Sequence, residues 1–318
     1  MFFLLSAIVL GSLFSVVFKL CQKWDIDTGQ VILFNYVTAV LISMGSIVID
    51  VAGGAPLADY SLTVHSVLLA LVQGIFFYTG FLVMNRSTWR SGVALTSAAA
   101  RASLVLPLIL SWLIFDQAAP SWLQVGLILA AMLMLVLPAQ SGEHDARYQT
   151  GISDEARRRK TMLALVAVFL TYGVADFLLK VVQNSVEISA ANEAQMQAGL
   201  SSQMVVIFIS ASLFALAACI ATGSFKKDEA RHGSSLHQGF RWRNALGGLV
   251  LGLINTGCTF CMLHALSRIS TSIYYPLYNI GIVVVSTLVG VIFFKEKLKP
   301  VQIVGLVVAA VAIGLSFR

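Results

Sequence analysis

Ten stretches of about 18–24 residues in this 318-residue chain carry almost no charge, and most of them are separated by short polar connections. They run approximately over 2–22, 30–50, 66–85, 92–114, 121–138, 161–183, 203–222, 244–266, 270–293 and 300–317. About 20 apolar residues in a helix cross the roughly 30 Å of a bilayer's hydrocarbon. Backbone groups in lipid must be satisfied internally, so each stretch is predicted to be a helix. Only 11% of residues are charged and the mean hydropathy is +0.86, whereas soluble domains carry about a quarter charged residues. The expectation is an all-α polytopic membrane protein of ten transmembrane helices, with the lipid bilayer as its first partner. The pI near 9.2 does not point to nucleic acid, because no basic patch is interleaved with aromatics. The first apolar stretch has no preceding Lys or Arg and no small-x-small site after it, so it reads as a span rather than a signal peptide.

The basic residues set the expected orientation. Connections that follow odd-numbered spans hold sixteen of the 21 Lys and Arg, among them Lys23, Arg86, Arg157, Lys160, Arg243 and Lys295; the opposite side holds Arg268 and Arg318. Positive charge stays in the cytoplasm. The sixteen-charge side is therefore expected there, with both termini periplasmic and the protein in the cell inner membrane.

The chain also repeats itself. Shifted by 179 positions, Val304–Ala310 falls on Val125–Ala131 without a gap, Phe294 on Phe115 and Ser270 on Ser91. With five spans per copy the second copy is inverted. The expected domains are a first five-helix repeat over 1–140, a linker over 141–160 and a second repeat over 161–318. The pattern Phe293-Phe294-Lys295-Glu296-Lys297-Leu298, then Gln302 and Gly305, resembles the end of an EamA-type transporter of the drug/metabolite transporter superfamily. Asp116-Gln117 stand where Lys295-Glu296 stand in the second copy. The resemblance implies two inverted five-helix repeats that move a small metabolite by alternating access, without ATP or a cofactor. Pro276 fits the family's habit of a proline in that helix.

Three cations and one acid remain inside the spans: Lys19, Arg101, Lys180 and Asp176. A charge at the bilayer centre costs about 2.5–3.5 kcal/mol or more, so each requires a partner, water or a route to the surface. Arg101 lies about ten residues, roughly 15 Å, from either end of its span, too deep for its side chain to reach the surface. It is expected to face a polar cavity, with pairing to Asp176 or to helix carbonyls as the structural alternative. Lys19 and Lys180 match at an offset of 161 and either meet at the substrate or snorkel. Asp176 sits one turn before Lys180, where the two can pair. The resulting surplus of about two positive charges favours an anionic or zwitterionic small-molecule substrate. Asn35, Tyr275 and Asn279 are further candidate contacts, with helix–helix bonding as the alternative. Asp176 is also the obvious proton carrier if protons are coupled.

The segment 184–202 suits a short surface helix, with a lid over the entrance as its functional alternative. Cys258-x-x-Cys261 lies within an apolar run and reads as packing, and no catalytic or metal-binding constellation stands out. The expected function is secondary transport of an amino acid or related organic anion by a monomer, with export as the expected direction. The rivals are a drug exporter for cationic or amphipathic compounds, a membrane-embedded lipid-active enzyme and a membrane scaffold.

Overall fold

The computed structural model describes residues 1–23, 26–91, 93–115, 122–136, 154–222, 241–294 and 300–315. Among them are eleven α-helices: α1 (Phe2–Lys23), α2 (Thr28–Ala52), α3 (Val64–Ser91), α4 (Val93–Ala102), α5 (Val105–Ile114), α6 (Trp122–Val136), α7 (Asp154–Ser189), α8 (Glu193–Thr222), α9 (Trp242–Leu266), α10 (Thr271–Phe294) and α11 (Pro300–Leu315), with a 3-10 turn at Leu57–Tyr60. No strand occurs among the described residues. Parts of α2, α3, α7, α8, α9 and α10 are each long and apolar enough to cross a membrane. By length and composition the chain is an all-α polytopic membrane protein. The hinge at 295–299, residues 137–140 at the end of the first repeat, residues 141–153 of the linker and the basic run at Lys226, Lys227 and Arg231 lie outside the described residues.

Two expectations are corrected. Span four is not one helix: α4 ends at Ala102 and α5 begins at Val105. The sequence around the joint explains it. Pro107 has no N–H for the Ser103 carbonyl four residues back. The Leu106 N–H takes that carbonyl instead (2.9 Å), and Leu104 N–H bonds Arg101 O (3.3 Å). The Ser103 hydroxyl also bonds back to Ala100 O at 2.6 Å, a side-chain bond that commonly bends helices. The segment 184–202 forms no separate surface helix either. α7 runs on to Ser189 and α8 starts at Glu193, so only three residues, Ala190 to Asn192, lie between them.

The chain divides into two compact units. Unit 1 takes residues 1–78 and 178–268, and unit 2 takes 79–177 and 269–318. Each therefore draws on both sequence halves, and α3 and α7 contribute to both.

In unit 1, α9 lies between α1 and α2. Asn244 Nδ2 donates to Gln30 Oε1 at 2.8 Å. Further along, Gly248 meets Val31 and Phe34, and Gly252 meets Asn35 and Thr38. Both helices advance together, so α2 and α9 run parallel. α1 runs the other way, with Phe3 against Phe260 and His264, Ala7 O against Cys258 Sγ, and Leu10 against Gly257. On α3, Gly74 meets Ile207 and Ser210 of α8, while Ser66 and Gly199 line one cavity, so α3 and α8 are also parallel. Small residues let these backbones approach closely, the usual basis of helix association in lipid.

One end of unit 1 gathers the start of α1, the α2–α3 connection, the α7–α8 connection and the end of α9. Ser202 Oγ donates to Tyr60 O (2.8 Å), and Arg268 pairs with Glu193 and stands over the Phe3 ring. Asp50, Asp59, Glu187 and Glu193 all belong to this end. The Tyr60 hydroxyl donates to Asp50 Oδ2 at 3.2 Å. Desolvation first, then that bond and the Asp50 charge, push its phenol above the usual range. In unit 2, α6 packs along α11, and α10 packs against α5 and α6.

Candidate functional site

The break in span four places Arg101 in the last turn of α4, where the helix dipole favours a cation by about 0.3–1 kcal/mol. Nη1 of Arg101 donates to Asn279 Oδ1 of α10 at 3.3 Å. Asn279 is oriented by its own helix: Nδ2 donates to the Tyr275 carbonyl one turn earlier, at 3.0 Å, which leaves Oδ1 for the guanidinium. The Tyr275 hydroxyl in turn donates to the backbone carbonyl of Asp176 on α7. So four of the expected residues, Arg101, Asn279, Tyr275 and Asp176, come together within unit 2.

The approach of α7 depends on Gly173. Any Cβ there would lie 2.8 Å from Leu106 Cβ on α5, well inside contact distance. With no Cβ, α5 seats against α7 three residues before Asp176. No ion pair within 4 Å joins Arg101 and Asp176. Arg101 is part-buried and, among the described residues, makes one hydrogen bond with its five N–H donors. The Asp176 carboxylate, also part-buried, has no hydrogen-bond partner among the described residues. Tyr172, one turn before Asp176, donates its hydroxyl to Met84 Sδ at 2.8 Å. Sequence reasoning did not single out Tyr172 or Gly173; their i−4 and i−3 spacing from Asp176 was the available signal.

Lys180 is placed differently. It is only 6% exposed and belongs to unit 1. Its ammonium donates to Gln183 Oε1 (2.5 Å) and to Leu266 O (3.4 Å), rather than pairing with Asp176 one turn before it. Leu266 is the last residue of α9, whose terminal carbonyls lack intrahelical donors and carry the negative end of the dipole. Gln183 Nε2 donates onward to Glu187 Oε2 at 2.7 Å. Asn35, also in unit 1, is fully buried, and neither of its amide atoms has a hydrogen-bond partner among the described residues. The helix α1 includes Lys19, but its side chain lies outside the described residues. A shallow cavity of about 170 Å³ opens at the acidic end of unit 1, lined by Asp59, Ser61, Thr63, Ser66, Ser189 and Gln195 among others.

No family model matches the chain. An uncharacterized protein of Haemophilus influenzae is 26% identical over 314 residues, which is 98% of this chain and 95% of that protein. A crystal structure described only as that of a protein superposes with a TM-score of 0.70 at 12% identity, covering 99% of this chain and 95% of the other. At that identity the likeness shows the fold alone and says nothing of what the chain carries.

Proposed function

We propose that the protein is a secondary transporter of the inner membrane, EamA-like, built as two inverted five-helix repeats with both termini periplasmic. It moves a small anionic or zwitterionic metabolite by alternating access, and Arg101 binds the anionic group. One observation carries this reading. A guanidinium near the middle of its span, part-buried, has four of its five donors unengaged among the described residues. A purely structural arginine would be expected to fill those donors with carbonyls or a carboxylate, since unmet charge in a membrane is costly. A discontinuous helix at the same point is a recurrent feature of transporter binding sites.

The repeat has support of its own. Gly252 would place a Cβ 2.6 Å from Thr38 Cβ and 2.7 Å from Asn35 O; Gly74 would place one 2.6 Å from Ser210 Cβ and against Ile207 O. Gly252 stands 178 positions after Gly74, and Ser210 and Ile207 each stand 172 after Thr38 and Asn35. The same glycine contact is thus made twice. The exchange swaps α2 with α8 and α3 with α9, which run in opposite directions, as an axis in the membrane plane requires. Ten spans follow if α1, the α4–α5 pair, α6 and α11 cross as well.

The deciding experiment is uptake or counterflow of amino acids and organic acids by the purified protein in liposomes. Saturable movement of an anionic or zwitterionic solute, lost in Arg101→Ala, is the expected result. Movement of cationic drugs alone would favour the exporter reading and remove Arg101 from the site.

A further inference from the structure

We infer that the start of α9 is a binding site for the headgroup of an anionic phospholipid, formed by Arg241, Trp242 and Arg243. The inference is independent of the role proposed for Arg101. It needs only that α9 crosses the bilayer, as its length and apolar composition allow. The rotation of α9 decides what this end faces. Asn244 is buried and donates to Gln30 Oε1 of α2, and Gly248 and Gly252, one and two turns on, press against the same helix. Each residue turns an α-helix by about 100°, so a position two before Asn244 lies on the side away from α2. Trp242 stands there and is 63% exposed. Leu246, Leu249, Val250 and Leu253 continue its stripe and are exposed as well. In a spanning helix an exposed apolar stripe of this kind faces lipid.

Trp242 lies one turn, roughly 6 Å along the axis, beyond Leu246. That puts its indole at the headgroup boundary, where tryptophan is enriched. The Arg243 guanidinium stands over the same ring, 5.9 Å from its centre, a contact that holds the cation at the level of the indole. Arg241 occupies the N-cap position and is exposed. The first turn holds no acid, and no ion pair engages either arginine among the described residues. Positive charge sets orientation from anywhere in a short connection. Here it is gathered around a tryptophan on the lipid-facing side of the helix, where guanidinium groups meet phosphate oxygens with charge-assisted bonds. Two cations without a neighbouring acid favour an anionic headgroup over a zwitterionic one, whose own ammonium offsets the attraction. In the proposed orientation this is the cytoplasmic leaflet.

The test uses the full-length protein in phosphatidylcholine vesicles that contain a minor fraction of lipid brominated in the upper acyl chain, either phosphatidylglycerol or phosphatidylcholine. Bromine quenches nearby indoles, and the difference between wild type and Trp242→Phe isolates the Trp242 signal. That signal is expected to be quenched at least about threefold more efficiently by the brominated phosphatidylglycerol. The preference should shrink as salt is raised and vanish when Arg241→Gln and Arg243→Gln are combined, with Arg243→Gln alone intermediate. Equal quenching of the wild type by the two lipids overturns the proposal. So does a preference that survives the double substitution, which would assign it to surface charge elsewhere. A preference erased by millimolar glycerol 3-phosphate overturns it too, by making the site one for free anions. Should the double variant fail to insert, the salt series on the wild type decides: a preference indifferent to salt also defeats the proposal.

Discussion

At the scale of single residues, the guanidinium and its amide partner make the sharpest predictions. Arg101→Ala should weaken substrate binding at least about tenfold, because a charge-assisted hydrogen bond is worth about 1.5–3 kcal/mol. Arg101→Lys should recover part of this, a point charge replacing a planar fork. Asn279→Asp would set a carboxylate where Oδ1 now sits, 3.3 Å from Nη1. It should give a protein that folds and inserts but binds poorly, because the new ion pair consumes the donors; calorimetry on detergent-purified variants separates the three. Lys180 should behave in the opposite way. Lys180→Met removes the donor from Gln183 Oε1 and Leu266 O, costing about 1–3 kcal/mol for the buried acceptors left unpaired. A lowered Tm with unchanged substrate affinity is the expected result, and a selective loss of affinity would return Lys180 to the site. The contrast shows what a sequence tells about a buried charge. Depth alone marks Arg101, because no side chain reaches water from there. For Lys180, Asp176 and Gln183 are equally reachable along the helix at i−4 and i+3, and the Leu266 carbonyl lies 86 residues away. Only tertiary packing chooses among them.

Among elements, the glycines decide how closely helices can approach, and the paired contacts at Gly74 and Gly252 can be tested together. Alanine at either position must displace backbone or a β-carbon, and overpacking of this kind costs about 1–3 kcal/mol. Gly45 has nothing within 4 Å of the place a methyl group would take. It serves as the control, and Gly45→Ala should be neutral or slightly stabilising. Equal drops in Tm for Gly74→Ala and Gly252→Ala are expected; a loss confined to one would count against the duplication. Helix identity is legible in the sequence because a span's apolar length is a strong signal. The break between α4 and α5 is less so. Pro107 and Ser103 are both visible, but proline within a spanning helix kinks it in some settings and is absorbed in others. The full length of α7 is hidden at both ends, because its polar first and last turns, at Asp154–Lys160 and Asn184–Ser189, look like connections when only hydropathy is followed.

For the molecule as a whole, the gathered acidic end of unit 1 and the basic connections that follow odd-numbered spans predict a sided protein. In a cysteine-free background, Ser61→Cys, beside the Tyr60 contact, should react with a membrane-impermeant maleimide in intact cells. Arg243→Cys, near the start of α9, should react only after the cells are opened. Alkaline phosphatase fused after Phe317 should be active. The reverse labelling would invert the proposed orientation. The division into two units is not legible in the sequence, since the repeat draws attention to the halves while each compact unit gathers helices from both. Arrangement of that kind depends on contacts such as Gln30 with Asn244, 214 residues apart, which leave no local trace.

The bond between Arg101 and Asn279 has a consequence for how the chain is made. The two residues are 178 positions apart. A ribosome adding about 5–20 residues per second therefore takes roughly 10–35 s to deliver the second after the first. Through that interval a mid-span arginine has entered the membrane with its asparagine not yet synthesised, and Asp176 arrives only part of the way through. The early helices must either wait near the insertion machinery or tolerate water around that side chain. Nascent chains halted before α10 should then hold the α4–α5 segment in the bilayer less firmly than chains extended past Asn279.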